Sequence, residues 1–194
     1  MKIGRLLLRL TVGSLFFGHG TQKLFGWFGG HGLDATANMF DSIGMRPGQR
    51  NAVAAGLAEA GGGAGIALGL ATPLSAATLT SVMLTAINRV HLKNGPWSTN
   101  GGYEYNIVLI AAVLTLVEVG PGELSFDHLL GNERSGPGWT LAALALGVAG
   151  ALGAHLAAES YPAPVEAPAE ATAAASTNGD ASAPTETQEA GTAQ

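Results

Sequence analysis

Long apolar stretches, separated by short loops rich in glycine, proline and asparagine, most restrict the fold of this 194-residue chain. The stretches cover residues 3–26, 52–71, 74–90, 103–119 and 139–158. A helix needs roughly 20 such residues to cross a bilayer. Charged residues make up 12% of the chain, where soluble domains typically have about 25%. The sequence therefore predicts an all-α, polytopic membrane protein, with a four-helix bundle, a fifth transmembrane helix and a disordered tail.

Composition divides the chain into three parts. Residues 1–130 hold the four-helix membrane domain, 131–158 hold a loop and the fifth transmembrane helix, and 159–194 form an acidic tail. The tail is rich in Ala, Pro, Thr, Ser and Glu and contains no Lys or Arg, so it cannot bury a core and is predicted to be disordered. No basic stripe is present, which argues against nucleic acid as a partner. The chain has no cysteine, which excludes thiolate ligands and thiol exchange by this chain.

Strongly polar side chains interrupt the apolar stretches. His19, Gln22 and Lys23 lie near the end of the first stretch, and Glu59 lies inside the second. Such groups are costly in a bilayer and indicate a functional site. Successive spans alternate in direction, so the ends of the first and third stretches meet the starts of the second and fourth. We therefore predict one polar pocket at that membrane face, formed by His19, Gln22, Lys23, Glu59, Asn88, Arg89, His91 and Glu104.

Simpler interpretations exist for several of these residues. Lys23 and Arg89 also fit interfacial anchors, and Glu59 fits a structural ion pair with a neighbouring cation. A haem or metal site built from His19 and His91 has no supporting ligand spacing, so no metal is predicted. Arg9, one helical turn after Arg5, is expected to extend to the nearer membrane surface and to lie apart from the pocket.

Small residues predict where helices pack. Gly61, Gly65 and Gly69 recur every four residues, a spacing that places a flat groove on one helix face. A neighbouring helix of the same chain, or of a second copy in a homo-oligomer, fits such a groove. In the first loop, Leu33 and Phe40 belong to an apolar stripe at helical spacing, which predicts a short amphipathic helix on the membrane surface.

The chain resembles the DoxX family of membrane proteins over roughly residues 3–130. The resemblance is carried by spaced motifs: His19-Gly20-x-Gln22-Lys23-Leu24-Phe25-Gly26-Trp27-Phe28-Gly29-Gly30, Glu59 followed by Gly62-Gly63, Asn88-x-x-His91-x-x-Asn94-Gly95, and Gly102-Tyr103-Glu104. It implies a four-helix membrane core in a bacterial plasma membrane. The fifth stretch and the tail lie outside the family pattern.

The resemblance also implies a link to redox systems. The family takes its name from a small subunit linked to an archaeal terminal quinol oxidase and thiosulfate:quinone oxidoreductase. A mycobacterial relative is described as the membrane part of an oxidoreductase complex with a superoxide dismutase and a thiosulfate sulfurtransferase. These relatives imply redox-enzyme partners and a quinone as the candidate cofactor, although the chain carries no visible cofactor-binding motif.

Three functions therefore stay open from the sequence. The first is a membrane subunit of a redox system, whose pocket holds a quinone or a small anion. The second is a non-catalytic membrane anchor that docks partner enzymes through its tail and first loop. The third is a transporter or channel for small molecules, with the same polar pocket as its binding site.

Overall fold

The protein is all-helical in the part of the chain that the computed structural model describes, residues 2–161, which contains no strand. The predicted all-α class is therefore confirmed. From residue 162 onward, the predicted disordered tail lies outside the described residues. The helices are α1 (Ile3–Phe25), α2 (Gly32–Ser42), α3 (Gly48–Leu68), α4 (Thr72–Ala86), α5 (Glu104–Val119), α6 (Phe126–Leu129) and α7 (Pro137–Glu159).

Local sequence signals explain where the long helices begin and end. Gly26 and Gly69 adopt the left-handed conformation that ends α1 and α3, with φ of 70° and 63°. Proline occupies the first turn of α4 and of α7, where its missing N–H costs nothing. α4 does not stop at Ala86 but continues through a π-helical turn, Ile87–His91. The five long helices thus coincide with the five apolar stretches.

One described helix, α7, is long and apolar enough to cross a membrane by length and composition, with 23 residues and a mean hydropathy of 1.8. α4 and α5 have 15 and 16 residues, fewer than the roughly 20 needed. α1 and α3 are long enough, but their arginine, histidine and glycine residues reduce their hydropathy. By this criterion, the structure supports one of the five predicted spans.

The helices pack around two apolar clusters. The larger one lies between α1, α3, α4, α5 and α7, and Phe16, Ile66, Leu79 and Leu116 are its largest fully buried side chains. The smaller cluster lies beneath α2. The predicted amphipathic loop helix is thus present as α2, which buries its Ala37 and Phe40 side chains against the rest of the bundle.

Glycine backbones form the closest helix contact. α1 and α3 run antiparallel, with Gly13 facing Gly63 and Gly20 facing Gly56. A Cβ atom on Gly13 would lie 2.7 Å from the Gly63 carbonyl oxygen, and one on Gly20 would lie 2.5 Å from the Gly56 carbonyl oxygen. Each pair of glycines on one helix is seven residues apart, or about two turns. The backbones therefore approach as closely as helices do at small-residue interfaces in membranes.

The predicted groove of Gly61, Gly65 and Gly69 is not the face that α1 uses. A Cβ atom on Gly61 would meet nothing within 4 Å, whereas Gly65 accommodates the Ser75 side chain and Gly69 ends the helix. A spacing of four residues drifts around a helix by about 40° per step. Within one copy of the chain these three positions therefore face different surroundings, and packing of a second copy against them stays a prediction.

Alanine substitutions at two glycines of α3 test this packing. We expect Gly63→Ala to destabilise the protein by about 2 kcal/mol, because the added methyl group overpacks the contact with Gly13. Gly61→Ala should be neutral or stabilising by up to about 1 kcal/mol, since alanine favours a helix. Thermal unfolding in detergent measures both. Equal effects of the two substitutions would contradict the glycine contact.

Candidate functional site

A cavity of about 400 Å³ opens between α1, α2, α3, the end of α4 and α7. Its volume falls within the range of small-molecule sites, about 300–1,000 Å³. Most of its wall is apolar: Met39, Phe40, Ile43, Met45, Ala54, Ala55, Ala58, Val82, Ala86, Val90 and Ala154. The polar lining residues are Lys23, Asn51, Glu59, Ser81, Thr85, Arg89 and His91. An apolar chamber with a few convergent polar groups is typical of a ligand site.

An ion pair between α1 and α3 forms one wall of this cavity. Lys23, in the last turn of α1, donates a hydrogen bond from Nζ to Glu59 Oε2. The Glu59 side chain is 4% exposed and the Lys23 side chain is 24% exposed. Removing either partner would leave an uncompensated charge, which costs several kcal/mol in a buried setting. The glycine contact brings α1 and α3 close enough for this pair to form.

Arg89 and His91 reach the same cavity from the π-helical turn after α4. The Nη2 atom of Arg89 lies 2.5 Å from Nδ1 of His155 on α7, while Nε of Arg89 is buried without a hydrogen-bond partner among the described residues. The Nδ1 atom of His91 lies 2.7 Å from the Gly101 carbonyl oxygen. π-Helical turns are frequent at functional sites, and here the turn carries two of the predicted polar residues.

The other predicted residues lie away from the cavity. His19 is exposed and contacts Gln22 at 3.1 Å, and Gln22 donates to the Phe28 carbonyl at 3.2 Å. Both side chains thus stabilise the turn that follows α1. Asn88 is exposed. Glu104 accepts the backbone N–H of Ser98 at 2.7 Å and so orders the loop before α5.

Sequence reasoning missed two polar residues near the cavity. Asn51 lines it and donates from Nδ2 to the Met45 carbonyl at 3.0 Å. His155 contacts Arg89, and its neighbour Ala154 lines the cavity. His155 is the only titratable side chain between Trp139 and Glu159 in an otherwise apolar helix. A single titratable residue in an apolar helix needs a polar partner on a neighbouring helix, so the sequence itself indicated that His155 takes part in a polar contact.

At the opposite end of the bundle, buried charged side chains form hydrogen bonds with main-chain groups. Arg9 is 3% exposed and donates to three carbonyl oxygens: that of Ala67 at 3.1 Å, that of Pro121 at 2.6 Å and that of Leu124. The expectation that Arg9 extends to the membrane surface is therefore wrong. The last-turn carbonyl groups of α3 have no helical partner, and the guanidinium group satisfies one of them.

Asp127 has the complementary role at the start of α4. It is 2% exposed and accepts the backbone N–H groups of Ala71 and Thr72 at 2.8 and 2.9 Å, together with the Thr72 hydroxyl at 2.7 Å. A carboxylate at a helix N-terminus satisfies orphan N–H groups and interacts favourably with the helix dipole. These interactions fix the end of the bundle that lies away from the cavity.

Over residues 2–161, fold and site together define an all-helical protein with a mostly apolar cavity beside an inter-helix ion pair. Comparison with known proteins then places it: the chain belongs to the DoxX family, as the motifs indicate. The family model DoxX matches residues 4–92. That region contains Lys23, Glu59, Arg89 and His91, whereas α5 and α7 lie beyond it.

A curated relative extends the match. The chain is 33% identical over 115 residues to the protein named "Putative oxidoreductase CatD" of Bacillus subtilis (strain 168), covering 59% of this chain and 79% of that relative. No solved structure matches the chain. Within residues 2–161, no three His, Asp or Glu side chains come together as a set of metal ligands.

A double-mutant cycle tests whether Lys23 and Glu59 act as a pair. We expect Lys23→Met and Glu59→Leu each to destabilise the protein by about 3 kcal/mol, since each leaves a charge without its partner. The double variant should recover most of that loss, because an apolar pair of similar size replaces the ion pair. Unfolding free energies of the four proteins measure the coupling. Additive losses would show that the two side chains do not interact.

Proposed function

We propose that the chain is a multi-pass membrane protein of a redox system, and that its cavity binds a quinone head group or a small anion. In this proposal α1, α3, α4, α5 and α7 cross the plasma membrane. The observation that carries the proposal is the placement of Lys23, Glu59 and Arg89 on one apolar cavity of about 400 Å³. The relative's name as an oxidoreductase supports the redox part.

Exposed apolar side chains support the membrane location. Leu57, Leu74, Val108 and Leu141 are each about 60% exposed along four different helices. A soluble monomer rarely presents apolar surface on every side. Trp27 and Trp97 are 52% and 63% exposed and lie at the cavity end of the bundle. In this proposal that end meets the membrane–water interface, where membrane proteins concentrate tryptophan and tyrosine. Through the π-helical turn, the helical chain of α4 runs from 72 to 91, which is long enough to span.

Single cysteines test the membrane location, because the chain has none of its own. Val108→Cys, Leu146→Cys and Leu130→Cys replace side chains that are 60%, 59% and 65% exposed. In proteoliposomes we expect the first two to resist a membrane-impermeant maleimide, because lipid covers them. Leu130→Cys, in the loop before α7, should react as the matched control. Equal labelling of all three before detergent is added would exclude the proposed spans.

The cavity chemistry suits an oxygen-bearing head group. Lys23 and Arg89 supply cationic donors for carbonyl or anionic oxygens, and the apolar wall suits a ring or an isoprenoid tail. In this proposal Glu59 passes protons when a quinone gains two electrons and two protons. A partner enzyme would supply the electrons. The anchor and transporter hypotheses, and docking through the tail, stay predictions.

Ligand titration tests the cavity directly. Purified protein in nanodiscs is titrated with ubiquinone-1 and, separately, with thiosulfate. We expect Arg89→Gln to weaken ubiquinone-1 binding by tenfold or more, since a charged hydrogen bond contributes about 1.5–3 kcal/mol. Lys93→Gln, which removes an exposed cation outside the cavity, is the matched control. Binding of thiosulfate alone would indicate an anion site, and binding of neither probe would refute the proposed ligand classes.

A further inference from the structure

His155 is a polar group that the proposed function does not use. It lies on α7, outside the region that matches the family model, yet its Nδ1 atom contacts Nη2 of Arg89 at 2.5 Å. Its Nε2 atom lies 2.9 Å from Oε1 of Glu159, one helical turn further along α7. The side chain therefore joins a cavity-lining arginine to a carboxylate that is 58% exposed at the bundle end.

These two contacts fix the protonation state of the imidazole. Arginine has only donors, so the Nδ1 atom of His155 must accept and carry no proton. The Nε2 atom then carries the proton and donates a hydrogen bond to Glu159 Oε1. A second proton on Nδ1 would remove the acceptor and place two positive charges at 2.5 Å. The arrangement in the structure therefore exists only with neutral His155.

We infer that His155 is a positioning residue for Arg89, and that protonation of His155 releases Arg89 and weakens ligand binding in the cavity. The inference rests on the proposed function, in which Arg89 binds the ligand. It assigns a regulatory role to α7, which lies beyond the family match. Histidine is the side chain whose charge changes within the physiological pH range. The pH on the membrane face at the cavity end would then set the affinity of the site.

Other charged or titratable groups on the elements around His155 have contacts of their own. On the π-helical turn, the Nδ1 atom of His91 lies 2.7 Å from the Gly101 carbonyl oxygen. From α3, Arg50 contacts the Tyr161 hydroxyl at 3.2 Å and the Ala157 carbonyl at 3.5 Å. Lys23 is paired with Glu59 in the cavity wall. On α5, which also packs against α7, Glu104 accepts hydrogen bonds from Ser98, and Glu118 accepts one from Thr140 at the other end of α7, about four turns from His155. Arg89 and Glu159 are thus the charges that the structure shows in contact with the imidazole.

The donor groups of Arg89 differ in their contacts, which would let His155 control the position of the guanidinium group. Nη2 is held by His155, while Nε is buried and has no hydrogen-bond partner within residues 2–161. A buried donor without an acceptor is unfavourable by about 1–3 kcal/mol. An oxygen of a bound ligand would relieve that cost only while the guanidinium group stays at the cavity wall. Release of Nη2 allows the side chain to move away and lose that contact.

Two variants of His155 distinguish its role as a hydrogen-bond acceptor for Arg89 from its role in filling space. Asparagine places an acceptor oxygen close to the position of Nδ1 and does not titrate, whereas leucine fills similar space without an acceptor. Ubiquinone-1 is titrated into nanodisc-embedded protein at about pH 8 and about pH 5. We expect wild-type affinity to fall about tenfold at the lower pH, as one charged hydrogen bond is lost. His155→Asn should bind as wild type does at pH 8 and stay constant, and His155→Leu should bind weakly at both.

A pH-independent wild-type affinity, or a His155→Asn protein with the same pH dependence as wild type, would overturn the inference. Nitrogen NMR of histidine-labelled protein provides a readout that needs no ligand. At about pH 8 we expect an unprotonated, hydrogen-bonded Nδ1 whose signal shifts in Arg89→Gln. If wild type binds no ubiquinone-1, the proposed function fails, and this spectrum alone decides the His155–Arg89 contact. A protonated Nδ1, or no response to Arg89→Gln, would refute it.

Discussion

The contact between the glycine backbones of α1 and α3 is the constraint on which the site depends. A side chain at Gly13, Gly20 or Gly63 would meet the backbone of the facing helix and push the two helices apart, and one at Gly56 would displace the Leu24 side chain. At the observed separation, the Lys23 ammonium group reaches Glu59 and both charges are neutralised inside the bundle. Without that close approach, the carboxylate of Glu59 would be buried without a partner, which would destabilise the fold by several kcal/mol.

Much of the architecture could be predicted from the sequence, because helix length and direction follow from apolar stretches and loops. Alternating directions correctly brought Lys23, Glu59, Arg89 and His91 to one end of the bundle, where the structure places them around one cavity. The prediction failed for His19 and Gln22, which share the last turns of α1 with Lys23 but stabilise the following turn instead. Which face of a helix meets its neighbour depends on rotation about the helix axis.

The rotation of α3 about its axis also explains why α1 packs against Gly56 and Gly63 and not against Gly61, Gly65 and Gly69. The four-residue spacing of Gly61, Gly65 and Gly69 is conspicuous in the sequence, whereas the contact uses a seven-residue spacing on each of two helices. That second pattern is visible only when α1 and α3 are considered as an antiparallel pair. His155 was missed for a related reason: its partner, Arg89, is 66 residues away in the chain and lies on a π-helical turn. Sequence periodicity assumes regular helices and does not predict such a turn.

The two ends of the bundle differ in the hydrogen bonds that join their helices. At the end with Arg9 and Asp127, buried side chains bind main-chain groups of three segments, so separating the helices there would break several backbone interactions at once. At the cavity end, beside the backbone contact of Gly20 with Gly56, the helices are joined by side chains, with Lys23 bonded to Glu59 and Arg89 to His155. Loss of the Lys23 or His155 side chain would therefore remove one contact between helices, whereas loss of Arg9 would leave three main-chain carbonyl oxygens without their donor.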